Sequence, residues 1–153
     1  MDSSSKSVSE AVIGASIAIH RALGPGLLES AYAACLTYEL AKRGVSFARE
    51  VAVPVVYEGV RLDCGYRVDF VVERSLVVEI KAVAKLLPIH SAQVITYLRL
   101  LQIDDGLLIN FNVHLLRHGL RRLSRTAPHA NFLDADDNPG EPSPPLLPVK
   151  PKP

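Results

Sequence analysis

Apolar residues recur every three to four positions from 7 to 23, with Val8, Val12, Ile13, Ile17 and Ile19 on one side. That spacing predicts a helix, and Gly24-Pro25-Gly26 is a strong signal for its end. A second helix is predicted over 27–43, closed by Gly44, with Leu28, Ala31, Cys35 and Leu36 as its packing surface. On it Glu29 and Tyr32 stand three apart and share a face. From Phe47 the pattern turns to β. A strand is predicted over 47–57, where Pro54 marks an edge position or bulge, and Glu58-Gly59 reads as a hairpin turn into 60–64. Two further β-rich runs lie within 66–82, separated by Glu73-Arg74-Ser75. Pro88 opens a helix running to about 101. Val94, Leu98 and Leu101 form its seam, and Gln93 and Tyr97, four apart, share a different face. The near-continuous apolar run 106–111 reads as a strand buried on both sides, and 119–124 as a short final strand. Helices first, then strands, a helix and a strand predict an α/β domain, a mixed β-sheet flanked by α-helices.

The pattern stops at 126. Eight of the eleven prolines fall between Pro128 and Pro153, so the expectation is one folded domain over 7–125 and a proline-rich, disordered tail over 126–153. A hydrophobic content of 48% with 22% charged residues fits a soluble globular protein. No apolar run approaches the length of a membrane span. The first residues lack the basic and apolar blocks of a signal peptide, and the expected location is the cytoplasm. Cys35 and Cys64 are too few for a zinc framework and read as small hydrophobes rather than a disulfide. The net charge of +1 announces no partner, yet residues 1–129 carry 15 basic and 12 acidic side chains. Within 113–125, Arg117, Arg121, Arg122 and Arg125 accompany His114 and His118 with no acid, a candidate phosphate-binding patch.

The chemistry concentrates in 66–82. If Glu73-Arg74-Ser75 is a three-residue loop, Val72 faces Leu76, Phe70 faces Val78 and Val68 faces Ile80, giving one apolar face. Asp69 then stands opposite Glu79, with Lys81 on the same face. Directly opposed like charges on an antiparallel pair are destabilising, and a divalent cation between them would convert repulsion to coordination. The alternative is an ordinary solvated sheet face. The register is itself conditional: a two-residue loop puts Asp69 and Glu79 on opposite faces.

Asp69 followed by Glu79-Ile80-Lys81 resembles the core signature of the PD-(D/E)xK nuclease superfamily, an acid ahead of acid-x-lysine on adjoining strands. Gln93-Val94-Ile95-Thr96-Tyr97 resembles the QxxxY motif of its exonuclease-like branch, and Gly26-Leu27-Leu28-Glu29-Ser30-Ala31-Tyr32 matches the pattern of the bacterial GxxExxY proteins of that superfamily. Val68 stands where the superfamily's name has proline. The resemblance spans about 8–125. It implies a restriction-endonuclease-like mixed β-sheet flanked by α-helices and a Mg²⁺- or Mn²⁺-dependent cut of a phosphodiester, in DNA rather than RNA. It further implies that Asp69, Glu79 and Glu29 are metal ligands and that Lys81 orients or activates the attacking water. Gln93, Tyr97 and Tyr32 would organise the site or contact nucleic acid. Some exonuclease-like members use a histidine on an early helix, the position of His20.

The nuclease reading competes with a non-catalytic nucleic-acid-binding or regulatory module on the same fold, and with an adaptor role resting on the proline-rich tail. A domain this small has little surface for reading bases, so specificity would come from a homodimer or a partner protein.

Overall fold

The computed structural model describes residues 3–127. All but the first two residues of the proline-rich tail lie outside the described residues. Two helices come first, α1 (Ser3–Leu23) and α2 (Glu29–Lys42). The serine-rich start prolongs α1 by four residues beyond the apolar pattern. Its end is set by Gly24, at φ 66°, whose N–H bonds the His20 carbonyl at 2.8 Å. That left-handed stop suits glycine.

Seven strands follow: β1 (Phe47–Ala52), β2 (Val55–Tyr57), β3 (Val60–Leu62), β4 (Arg67–Val72), β5 (Leu76–Lys81), β6 (Asp105–Asn110) and β7 (Leu120–Ser124). Helix α3 (Pro88–Leu101) links β5 to β6. Five strands form a mixed sheet in the order β1-β4-β5-β6-β7. Only β5 and β6 are parallel, as their helical crossover requires. The strand expected over 47–57 is two: Pro54 interrupts it, and β2 and β3 pair as a separate ribbon. Glu58 and Gly59 turn that ribbon at φ 50° and 76°.

The helices cover both faces of the sheet. Val12, Ala15 and Ile19 of α1 and Leu36 and Leu40 of α2 pack with Phe70, Val78, Ile80, Leu107 and Ile109. The alternate side chains Val77 and Leu108 pack with Val94, Tyr97 and Leu98 of α3. Tyr97 therefore shares the face of Val94 and Leu98, not the separate face expected from its spacing. A Cβ on Gly106 would sit 3.1 Å from Val94 Cγ1, so glycine in β6 lets α3 approach closely. The architecture is a restriction-endonuclease-like α/β fold, a mixed five-stranded sheet flanked by three helices.

The central hairpin has the expected register: Val72 faces Leu76, Val71 faces Val77 and Phe70 faces Val78. Glu73 and Arg74 turn the chain at φ 50° and 55°, and Ser75 N–H closes on the Val72 carbonyl at 3.0 Å. Val68 departs from expectation. It packs in the α3-side cluster, whereas Phe70, two residues on, packs on the α1–α2 side. The same switch occurs next door in β1, between Phe47 and Val51. Between them Glu50 takes φ 50°, and the β1–β4 ladder runs from Arg49↔Phe70 to Val51↔Val68 without pairing Glu50 to Asp69. A left-handed residue inside a strand swings the following side chains out of alternation. The chain pivots at Asp69.

Candidate active site

The β4–β5 ladder is paired through Phe70 and Val78, and immediately beyond that pair two carboxylates occupy the seam. Asp69 N–H donates to Glu79 Oε1 at 2.7 Å, and Ile80 N–H donates to Asp69 Oδ2 at 2.8 Å. Each acid is thus held by a main-chain donor of the opposite strand. Asp69 is 5% exposed and Glu79 1%, which removes the solvated-face alternative for both. Main-chain N–H groups can balance a buried carboxylate because bonds to a charged acceptor are stronger than neutral ones. They also fix the oxygens in place.

Lys81 ends β5 two residues further and is half-buried. Among the described residues it forms no ion pair. The chain beyond it is clamped by Asn110, which sequence reasoning passed over. The Asn110 side chain accepts from Val83 N–H at 3.0 Å and donates to the Val83 carbonyl at 2.9 Å. A polar side chain inside the otherwise apolar run 106–111 was the only signal. Gly119 is required beside it, because a Cβ there would collide with the Asn110 carbonyl oxygen.

Helix α3 lies over the face that carries Val77. Gln93 Nε2 donates to Tyr97 Oη at 2.6 Å, so the two polar groups of the QxxxY pattern engage one another. The Tyr66 ring stands 6.3 Å from that of Tyr97. His90, in the first turn of α3, also escaped the sequence reading. Burial first, then the Lys81 ammonium, hold its pKa below the ordinary value, and Glu29 opposes them. The ring therefore senses both Lys81 and Glu29, which arrive on different elements.

Glu29 is half-buried in the first turn of α2, a favourable position for an acid. Among the described residues no group of three or more His, Cys, Asp or Glu side chains is arranged to hold a metal. Tyr32 is fully buried and stacks on Phe111 with ring centroids 4.4 Å apart. Its hydroxyl donates to the Gly24 carbonyl at 2.6 Å and accepts from Leu27 N–H at 3.2 Å, clipping the loop that leads to Glu29. His20 contacts the Val113 carbonyl through Nε2 at 2.8 Å, a bond between α1 and the loop after β6.

The four arginines do not form one patch. Arg117 lies in the short 3₁₀ turn Leu116–Gly119, and Arg121 is exposed on β7 opposite Leu108. The turn that carries Arg117 abuts the end of the sheet where Lys81 faces Asn110, through Gly119, whereas Arg121 sits mid-strand and donates to the His118 and Leu120 carbonyls. Arg122 turns to α1 and donates to Ser9 Oγ at 2.9 Å. Arg125 pairs with Asp104 at 2.7 Å, toward the far end of the sheet. There Ser124, Asp105 and Leu76 line up, about five residues or roughly 16 Å from Lys81.

A family model described as the PD-(D/E)XK nuclease superfamily matches residues 6–123. No curated protein and no solved structure gives a match. The match takes in α1 from Lys6 on, all of α2 and α3, every strand but the last residue of β7, and the Asp69–Glu79–Lys81 constellation. The chain belongs to the PD-(D/E)XK nuclease superfamily.

Proposed function

We propose that this protein is a nuclease that hydrolyses phosphodiester bonds in DNA with Mg²⁺ or Mn²⁺. The observation that carries the reading is the reciprocal lock of Asp69 and Glu79 in the β4–β5 seam, two residues from Lys81. The donor chemistry fits the metal. Magnesium prefers oxygen ligands and keeps several waters, so two carboxylates suffice, and both are preorganised by main-chain N–H groups. We assign Asp69 and Glu79 as the ligands. Bound there, the ion would lower the pKa of a coordinated water and neutralise charge at the phosphate.

The other residues take supporting roles in this reading. The Lys81 ammonium attracts the phosphate and orients the attacking water, a compact charge suited to that task. Glu29 supplies negative charge from the α2 side without direct ligation. Tyr32, wholly buried, positions the loop ahead of Glu29 rather than touching substrate. The Gln93–Tyr97 pair braces α3 over the sheet, and Arg117 and Arg121 extend the phosphate track. The Gly26, Glu29 and Tyr32 spacing leads us to assign the chain to the GxxExxY branch. Cys35 and Cys64 are both free thiols, in keeping with a reducing compartment and hence the cytoplasm.

The test is a cleavage assay on single- and double-stranded DNA and RNA with Mg²⁺, Mn²⁺ or EDTA, with Asp69→Asn and Lys81→Met alongside the wild type. Metal-dependent cleavage of DNA, abolished by EDTA and by Asp69→Asn, is expected. Binding without cleavage under every metal would select the non-catalytic nucleic-acid-binding module.

A further inference from the structure

His90 is the third residue of α3, and it closes the helix start reciprocally. Its own N–H donates to the Leu87 carbonyl at 3.0 Å, and its Nδ1 accepts the Leu87 N–H at 2.9 Å. A ring nitrogen that accepts carries no proton, so the neutral imidazole holds its proton on Nε2. This restricts its chemistry. An Nε2–H group can neither ligate a metal nor take a proton from water, because both need a lone pair on that atom. It can only donate.

The surroundings suit a donor. The ring is half-buried and lies in the opposing fields of Lys81 and Glu29. Burial and the Lys81 ammonium keep it in the neutral form that Nδ1 acceptance requires. Lys81 forms no ion pair among the described residues. A neutral N–H donor near such an ammonium complements an anionic oxygen with two acceptor directions.

We propose that His90 Nε2–H donates to a non-bridging oxygen of the substrate phosphodiester beside Lys81, making His90 a substrate-binding residue of the site. The proposal rests on the nucleic-acid reading above for the identity of the phosphodiester. A purely structural His90 would serve only as a helix cap, and two substitutions separate these roles. In Asn the side-chain oxygen stands where Nδ1 stood, so His90→Asn keeps the cap and loses the distal donor. Gln is a usual capping-box residue at this third helical position, so in His90→Gln the side-chain oxygen keeps the cap while the amide nitrogen supplies an N–H donor near the place of Nε2.

The experiment uses the full chain, ¹⁵N-labelled and titrated with short single-stranded and duplex DNA, first in EDTA and then in Ca²⁺. Binding of the same DNA to both variants is measured by fluorescence anisotropy. The expected results are an Nε2–H tautomer for free His90, a shift of its ring nitrogens on adding DNA, and about tenfold weaker binding by His90→Asn at wild-type stability. His90→Gln should bind within about threefold of wild type with an unchanged denaturant midpoint. An Nδ1–H tautomer overturns the proposal. So does wild-type affinity in His90→Asn, or DNA shifts at Lys81 and Asn110 that leave His90 unmoved; all three leave the nuclease reading intact. Shifts nowhere in the protein would overturn both.

Discussion

Asp69→Asn and Asp69→Ala separate the two things this carboxylate does. Asparagine keeps an oxygen that can accept the Ile80 N–H and removes one charge from a buried acid pair, so metal-free Asp69→Asn should melt at or above the wild-type temperature. Alanine leaves the Ile80 N–H without its acceptor in the interior, at a cost of about 1–3 kcal/mol. Adding Mg²⁺ should raise the melting temperature of the wild type more than that of either variant, because a ligand stabilises the state that binds it. Thermal melts with and without Mg²⁺ decide this; equal metal responses would mean that the acids form no site. His90 adds a pH dependence. Its folded pKa is depressed by burial and by Lys81, so its stabilising contribution is present above the ordinary value of 6.5 and is lost as pH falls through the lower folded value. Protonation at Nδ1 would also break the bond from Leu87. Urea unfolding should show the wild type matching His90→Asn at about pH 7.5 and falling below it at about pH 5.

The α1–α2 connection is held less by its glycines than by one phenol. Tyr32 reaches back to Gly24 and Leu27 while its ring rests on Phe111 at the end of β6, so helix, loop and sheet meet in one side chain. Tyr32→Phe should keep the ring stacking and lose about 1 kcal/mol for the missing hydroxyl. Tyr32→Ala should lose about 3–5 kcal/mol, as large-to-small changes in a closed core do. Denaturant midpoints of the two variants test the division. Equal losses would mean that the hydroxyl, not the ring, holds the connection.

Across the molecule, the basic side chains around β7 are sorted by what they engage. Arg117 lies in the turn next to the end that carries Lys81 and Arg121 stands exposed on the middle of β7, while Arg122 is engaged with Ser9 and Arg125 with Asp104. Replacing Arg117 and Arg121 together should flatten the dependence of log Kobs on log salt by about 1–2 in slope, and replacing Arg125 should leave it unchanged. Anisotropy titrations over a salt series measure both. The C-terminal boundary can be tested in the same way. Arg99 holds the chain after β7 through the carbonyls of Arg125, at 3.3 Å, and Ala127, at 2.6 Å. A chain ending at Ala127 keeps these bonds and the whole family match, so it should melt and cleave like the full chain. Loss of activity on that truncation would give the proline-rich tail a part in the reaction.

Much of this molecule is written in local pattern. Alternation of Val, Phe, Leu and Ile through 66–82, with three polar residues between the runs, determined the hairpin register and hence the adjacency of Asp69 and Glu79. Period-two burial makes any slip put apolar side chains into water. Helical spacing and the Gly-Pro breakers placed α1, α2 and α3 to within a few residues. Tertiary structure decided the rest. The pivot at Asp69 depends on Glu50 in β1, nineteen positions earlier, whose left-handed backbone has no signature in composition. Val68 accordingly faces α3 rather than α1 and α2. His90 feels both Lys81 and Glu29 only because folding brings the start of α3 within reach of the end of β5 and the start of α2. Arg121 and Arg122 part because successive strand residues point to opposite faces, and Arg117 and Arg125 lie outside the strand. Periodicity tells each segment which side to bury, and only the packing of distant segments determines which polar groups then meet.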